Sequence, residues 1–181
     1  MESVRGQLLI AGPKLQDPNF WRTVVLIVEH TESGALGLVL NRPSDSTVSE
    51  VVPELSEITA ADEKILVGGP VGQSAVIVLA DFVNPQMAAL IAFDTVGVLA
   101  VGPAGEIAGD GLRQTRVFAG HSGWGPSQLD SELERGDWIL EPARASDAFA
   151  AEPDGLWRSV LERKGGSYAL VARMPTDPSL N

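Results

Sequence analysis

The residues best suited to chemistry cluster in one stretch of the chain, Gly120–Leu133. The apolar run 116–119 before it is typical of a strand, and Pro126 suits the first turn of a helix that ends at Gly136. The pattern predicts a strand, a tight glycine turn and a helix. Unpaired N–H groups at such a helix start can hold an anion or a carbonyl oxygen. The alternative is a structural corner in which Trp124 fills the core.

His121 and Ser122 resemble a nucleophile motif without meeting its requirements. The G-x-S-x-G elbow needs a glycine where this chain has Trp124. Adjacent side chains of an extended segment point to opposite faces, so His121 is not placed to activate Ser122. His30 and His121 are the only histidines, too few for a histidine-rich metal site. An oxygen-rich Mg²⁺ site that uses Glu29 stays open, but nothing specific favours it, so we predict neither a metal nor a cofactor.

Arg42 is a second candidate for anion binding. Pro43 restricts the backbone of Arg42 to extended conformations and so fixes the direction of the guanidinium group. A guanidinium held in this way suits a carboxylate or a phosphate, and it suits an internal ion pair equally well. Glu29 and His30 end an apolar run, where they either line a pocket or meet solvent.

Composition narrows the classes of function. The chain has 181 residues, no cysteine and a net charge of −11, from 24 acidic and 13 basic residues. The absence of cysteine excludes disulfides and thiol nucleophiles and fits a reducing cytoplasm. We expect a cytoplasmic protein without a signal peptide or membrane span, because the N-terminus lacks a basic and apolar leader and the apolar runs are of strand length. The acidic surface makes nucleic acid an improbable partner.

Periodicity and turn residues predict strands and helices in alternation. The run 21–30 is apolar through its centre and should form a central strand covered on both faces. Gly68–Gly72 lacks the spacing of a phosphate loop and favours a tight hairpin. Further strands are predicted at 7–11, 35–40, 64–67, 75–80, 96–101, 116–119, 137–140 and 168–172, the last at an edge. Helices are predicted at 47–55 (short or kinked), from Asn84-Pro85 through Met87, Leu90 and Ile91, and at 126–135, 146–151 and 154–164, with a loop at 102–111 and an extended tail at 174–181.

Six short motifs, in order along nearly the whole chain, resemble the YqgE/AlgH family of bacterial proteins. They are Leu8–Pro13, Asp17–Phe20, Val25–His30, Gly37–Pro43, Gly68–Val71 and Gly123–Gly125 with Gln128-Leu129. The resemblance implies a cytosolic α+β domain with a largely antiparallel, curved sheet and flanking helices. It also implies a family without an established molecular activity, some of whose members are labelled transcriptional regulators.

The resemblance carries over signature positions and no demonstrated catalytic residue. The family motif resembles Gly-Tyr-Ala-Gly-Trp-Gly, and His121 and Ser122 replace its tyrosine and alanine. This departure weighs against either residue being a catalyst shared by the family. The signature positions carried over are Glu29, His30, Asn41, Arg42, Pro43, Gly68, Gly69, Pro70, Trp124 and Gln128.

These observations predict one domain over residues 1–181, a regulatory domain that binds a small anionic ligand or a protein partner. The candidate ligand-binding residues are Asn41, Arg42, Trp124, Ser127 and Gln128, with Glu29, His30, Gly68, Gly69 and His121 as secondary candidates. One alternative is a hydrolase or phosphotransfer enzyme that uses carboxylates or a metal. Direct DNA binding is the third and weakest, because of the net charge.

Overall fold

A computed structural model describes residues 2–100 and 110–176. The strands are β1 (Gln7–Ala11), β2 (Val24–Thr31), β3 (Gly34–Val39), β4 (Pro43–Thr47), β5 (Lys64–Val67), β6 (Val71–Phe82), β7 (Ala88–Phe93), β8 (Val96–Leu99), β9 (Leu112–Trp124) and β10 (Trp138–Pro142). The helices are α1 (Val48–Val51), α2 (Gln128–Arg135), α3 (Ala145–Ala148), α4 (Leu156–Lys164) and α5 (Ser167–Val171). Short 3₁₀ turns occupy Pro53–Leu55, Pro85–Met87 and Pro153–Gly155.

The strands form one sheet in the order β10-β1-β2-β3-β9-β6-β8-β7, with β4 and β5 attached to the side of β9. Neighbours are antiparallel except for β5 and β9, which run parallel. The sheet is curved. Its curvature is seen at Gly6, just before β1, whose backbone lies against the carbonyl group of Ala92 in β7, several strands away in the sheet order. The predicted α+β fold with a largely antiparallel, curved sheet is confirmed.

The central strands are covered on both faces, as the apolar run at 21–30 predicted. Each residue from Val24 to Val28 is fully buried. Alternate residues enter two different clusters: Leu26 packs with Trp157 of α4, and Val25 packs with Trp124 and Trp138. A third cluster lies between β6, β9 and the segment that contains α1. Among the described residues no helix is of the length and apolarity needed to cross a membrane.

The secondary structure predicted for two segments is wrong. The helix predicted after Asn84 is a 3₁₀ turn followed by β7, in which Leu90 pairs with Val98 and Ile91 with Gly97. Pairing with β8 overrides the helical spacing, and Gly97 permits it because a Cβ there would lie 2.3 Å from the Leu90 carbonyl oxygen. The strand predicted at 168–172 is the short helix α5, which Gly165 and Gly166 turn back towards α4 through left-handed backbone angles.

Other boundaries shift. The strand predicted at 116–119 extends over 13 residues and includes Gly120 and Gly123, so the turn begins only at Gly125 and the helix at Gln128. The strand predicted at 96–101 ends at Leu99, and the loop predicted at 102–111 falls mostly outside the described residues. The tail predicted at 174–181 is described only through residue 176.

At Gly68-Gly69 the chain crosses over β9 and does not form the predicted hairpin. β5 and β6 lie on opposite sides of β9, so the chain between them must pass over β9. A Cβ on Gly69, whose φ is 154°, would lie 2.3 Å from the His121 carbonyl. The Gly68 N–H donates to the Ala119 carbonyl oxygen at 2.9 Å. Two glycines are needed because two backbones touch there.

We therefore expect Gly69→Ala to destabilise the protein by about 2–3 kcal/mol, since the added methyl group must push the crossing away from β9. Gly123→Ala, on the strand β9 that the crossing passes over, is the matched control: a Cβ there meets no atom within 4 Å, and we expect a change below about 1 kcal/mol. Urea unfolding of the two variants measures both values. Equal effects would show that the close approach at Gly69 does not constrain the fold.

Candidate functional site

The predicted site residues fall into two groups at opposite ends of β3. Trp124 lies opposite Ala35, near the start of that strand. Arg42 follows beyond its other end, after bends at Leu40 and Asn41, and the two cavities described below that Arg42 lines do not include Trp124. The structure therefore does not bring Arg42 and Trp124 together in one pocket, although each end of β3 carries an organised set of side chains.

The group around Trp124 is tied together by its own hydrogen bonds. The indole N–H groups of Trp124 and Trp138 donate to the same Glu132 oxygen, at 2.9 and 2.8 Å. Gln128 accepts from the Gly125 N–H at 3.0 Å and donates to the other Glu132 oxygen at 3.0 Å. Ser127 has a left-handed φ of 59°, and its carbonyl oxygen accepts from the Ser131 hydroxyl group. These are the contacts of a structural corner, in which the N–H of Gly125, in the turn before α2, already has a partner.

The secondary candidates on β2 and β9 also make internal contacts. His30 is buried, and its Nδ1 accepts from the Val4 N–H at 3.2 Å, while Glu29 is exposed. The buried Ser122 hydroxyl donates to the Gly68 carbonyl oxygen, so it is not paired with His121. Across residues 2–100 and 110–176, no three His, Asp or Glu side chains are grouped as metal ligands.

Asn41 links β3 to the segment that leads into β2. Its Oδ1 accepts from the Val24 N–H and its Nδ2 donates to the Arg22 carbonyl oxygen, both at 2.9 Å. The side chain is only 4% exposed, so both polar ends of the amide are satisfied within the protein. Asn41 therefore positions the neighbouring arginines and has no polar group left for a ligand.

Arg42 borders a cleft of about 550 Å³ that four arginines line. We call it the arginine cleft. Asp154 is the one carboxylate among the described residues that line it. Trp21 and Trp157 add aromatic walls, and the full lining is Trp21, Arg22, Asn41, Arg42, Asp154, Gly155, Trp157, Arg158, Ala172, Arg173, Met174, Pro175 and Thr176. Its volume falls in the range typical of small-molecule sites.

The arginines of the cleft are held by carbonyl groups and aromatic rings. The Arg22 guanidinium carbon lies 5.1 Å from the centre of the Trp21 ring and 4.6 Å from that of Trp157. Arg22 also donates to the carbonyl oxygens of Met174 and Pro175, at 2.6 and 2.7 Å. Its φ of 53° is left-handed, a conformation that is costly for arginine and recurs at functional sites.

Positive charge in the cleft is poorly compensated. Arg42 donates to the Trp21 and Asn41 carbonyl oxygens, and the Arg158 Nε donates to that of Ala172. Burial lowers the pKa of Arg42, and Asp154 opposes the shift. Burial and, secondly, Arg158 lower the pKa of Arg22. Both shifts mean that the folded protein disfavours these charges, so an anion that entered would relieve an existing cost.

A second cavity, of about 240 Å³, lies on the other side of Arg42. Its lining comes from three of the motifs that suggested a family: Pro18 and Asn19, then Arg42 and Pro43, then Gly69 and Pro70. Motifs distant in the sequence thus converge on one cavity that Arg42 borders.

Sequence reasoning identified Arg42 and missed the other three arginines of the cleft. Arg22, Arg158 and Arg173 come from the segment before β2, from α4 and from the segment after α5. No spacing relates them, so only the path of the chain brings them together. The nearest available signal was Arg22 itself, which interrupts an otherwise apolar run.

The chain was compared with known proteins. Residues 8–169 match the family model described as AlgH-like. Similar proteins include a UPF0301 protein of Thermobifida fusca, 43% identical over 99% of this chain and 96% of that protein, and one of Streptomyces coelicolor, 36% identical over 100% and 97%. Similar structures include protein DIP2367 of Corynebacterium diphtheriae, with a TM-score of 0.86, 29% identity and coverage of 96% and 94%. The AlgH protein of Pseudomonas aeruginosa has a TM-score of 0.70, 28% identity and coverage of 98% of both chains.

We expect Asn41→Ala to lower the free energy of unfolding by about 2–4 kcal/mol, because it leaves the buried Val24 N–H and Arg22 carbonyl groups without partners. Asn19→Ala is the control, since Asn19 is exposed and also close to Arg42, and it should change stability by less than about 0.5 kcal/mol. Chemical denaturation distinguishes the two. A small loss for Asn41→Ala would contradict its role in positioning the arginine cleft.

Proposed function

The chain belongs to the AlgH-like family, and from this and the arginine cleft we propose that it is a cytoplasmic regulatory domain that binds a small anionic ligand. The observation that carries the proposal is the charge distribution. The protein has a net charge of −11, yet four of its 13 basic residues line one cleft that contains a single carboxylate among its described residues. A cluster of that sign in an acidic chain favours an anion at this position.

The residue types indicate which anions fit. Guanidinium groups match the oxygens of a carboxylate or phosphate in paired hydrogen bonds and are more weakly hydrated than ammonium groups. Arg42 and Arg158 each donate to carbonyl groups of the protein. Each has further N–H donors for a ligand, because a guanidinium group has five N–H bonds. Trp21 and Trp157 supply apolar surface beside these donors. A small phosphorylated or carboxylated metabolite satisfies both features.

A thermal-shift panel tests the proposal. The compounds are inorganic phosphate, nucleoside monophosphates and citrate, applied to the wild type, Arg42→Ala and Arg42→Lys. A ligand at about 100 times its Kd adds about 2.7 kcal/mol, or roughly 5–10 °C in Tm for a domain of this size. We expect a shift in the wild type that Arg42→Ala abolishes and that Arg42→Lys, which keeps the charge but not the planar fork, only partly restores.

The control for that panel is Arg135→Ala. Arg135 lies at the end of α2 and forms a surface ion pair with Asp137, so this variant also removes one positive charge, but away from the cleft. It should leave the ligand-induced shift unchanged. A shift that survives in folded Arg42→Ala would contradict the proposed site. If every anion is without effect on the wild type, the protein-partner alternative gains, with an acidic side chain of the partner in place of the small ligand.

The two other hypotheses predict different results, each in a separate experiment. Direct DNA binding predicts a shift with short duplex DNA that weakens steeply as salt rises. A metal-dependent hydrolase or phosphotransferase predicts turnover of a phosphorylated compound that requires a divalent cation.

A further inference from the structure

The segment after α5 forms one wall of the arginine cleft. Met174, Pro175 and Thr176 line the cleft, and all three residues are also exposed to solvent. We call Met174–Thr176 the strap. Pro175 has a fixed φ and restricts Met174 to extended conformations, so the strap loses little conformational entropy when it lies along the cleft.

Arg22 holds the strap through a single nitrogen atom. The Nη2 of Arg22 donates to the Met174 carbonyl oxygen at 2.6 Å and to the Pro175 carbonyl oxygen at 2.7 Å. This nitrogen carries two N–H bonds, so the strap occupies both of them. Among the described residues the strap makes one further backbone hydrogen bond, from the Met174 N–H to the Val171 carbonyl oxygen at 3.1 Å. Arg22 therefore supplies the hydrogen bonds that keep the strap against the cleft.

Two aromatic rings hold the Arg22 guanidinium group independently of the strap. The group stacks on Trp157, whose indole N–H is fixed to the Ala11 carbonyl oxygen, and it also contacts the ring of Trp21. Arg22 can therefore exchange one set of acceptors for another while its head group stays in place.

An anion in the cleft would compete with the strap for Arg22. A carboxylate or phosphate oxygen carries negative charge, so it attracts a guanidinium group more strongly than a neutral carbonyl oxygen does. Two such oxygens can also accept from two nitrogens of the guanidinium group side by side, whereas the strap offers both of its carbonyl oxygens to one nitrogen. The exchange should therefore favour the anion.

We propose that the strap is an autoinhibitory element of the arginine cleft, which competes with the anionic ligand for Arg22 and is released when the ligand binds. This inference rests on the function proposed above and adds its regulation. In the free protein both N–H bonds of Arg22 Nη2 are occupied, so an anion that uses them must displace the strap. A change that loosens the strap should therefore tighten anion binding.

The mobility of Thr176 tests the contact without any ligand. We expect the ¹⁵N order parameter of the Thr176 amide to fall below about 0.6 in Arg22→Gln, which removes the Nη2 donor, and to be higher in the wild type. Arg173→Gln is the matched control, because it removes the same charge from the same cleft but leaves both hydrogen bonds of Arg22. The fully buried Val160 of α4 is the internal reference in each variant.

Citrate is the probe for the competition. At saturation it should lower the order parameter of Thr176 in the wild type, as Arg22→Gln does without ligand. Pro175→Gly gives the released strap more conformational freedom, so titration calorimetry should give a Kd for citrate about two- to fivefold lower than that of the wild type. Pro13→Gly makes the same change at an exposed proline outside the cleft and should leave this Kd unchanged.

Two results would overturn the strap and leave the proposed function standing. One is a Thr176 amide that is equally ordered in the wild type and in folded Arg22→Gln. The other is citrate binding, lost in Arg42→Ala, that neither mobilises Thr176 nor becomes tighter in Pro175→Gly. Binding by Pro175→Gly alone would support the strap, because the wild-type strap then blocks the cleft. If neither protein binds citrate or any other anion of the thermal-shift panel, both proposals fail.

Discussion

Hydrogen bonding along β9 is the constraint on which the rest of the structure depends. This strand pairs with β3 through Ser122–Trp124 and with β6 through most of its earlier residues. Without it, the strands β10-β1-β2-β3 and β6-β8-β7 would be two separate sheets. Because β9 is paired on both edges and β5 and β6 flank it, the chain must cross over it at Gly68-Gly69. The strand order therefore requires glycine at positions 68 and 69. The crossing also places Gly69 and Pro70 in the lining of the same cavity as Arg42.

The arginine cleft depends on two further contacts, one at the end of β3 and one between α4 and β1. The chain leaves β3 at Leu40, whose N–H still donates to the Val24 carbonyl oxygen, and Asn41 then ties it to Arg22. Helix α4 is fixed across the first strand by the Trp157 indole N–H, which donates to the Ala11 carbonyl oxygen at 3.0 Å. The buried indole therefore serves both as core and as the surface on which Arg22 stacks. A rigid scaffold of this kind can hold like charges together against their repulsion, because the four arginines come from separate segments of the chain.

The sequence predicted the fold better than the site. Apolar runs such as 24–28 predict buried strands by composition alone. Gly136 and Gly165 likewise mark the ends of α2 and α4. Sequence reasoning failed where a distant partner decides: Leu90 and Ile91 have helical spacing but pair with β8. The same limit applies to function. Arg42 was recognisable because Pro43 follows it, whereas Arg158 becomes notable only through neighbours that the chain supplies from elsewhere.

The arginine cleft differs in its charges from a larger cavity of about 750 Å³, between the loop 57–63 and the first part of β9, and this difference governs what each can accept. In the arginine cleft, charges of one sign are gathered with little compensation, so the free energy gained on binding should grow with the negative charge of the ligand and fall as salt screens it. In the larger cavity, three carboxylates and two arginines line the same walls, so an ion of either sign would meet repulsion as well as attraction; the residues are Glu57, Asp62, Glu63, Arg113 and Arg116. Ionic strength should therefore affect an anion in the arginine cleft more than a ligand of the larger, mixed-charge cavity, where long-range attraction and repulsion oppose each other.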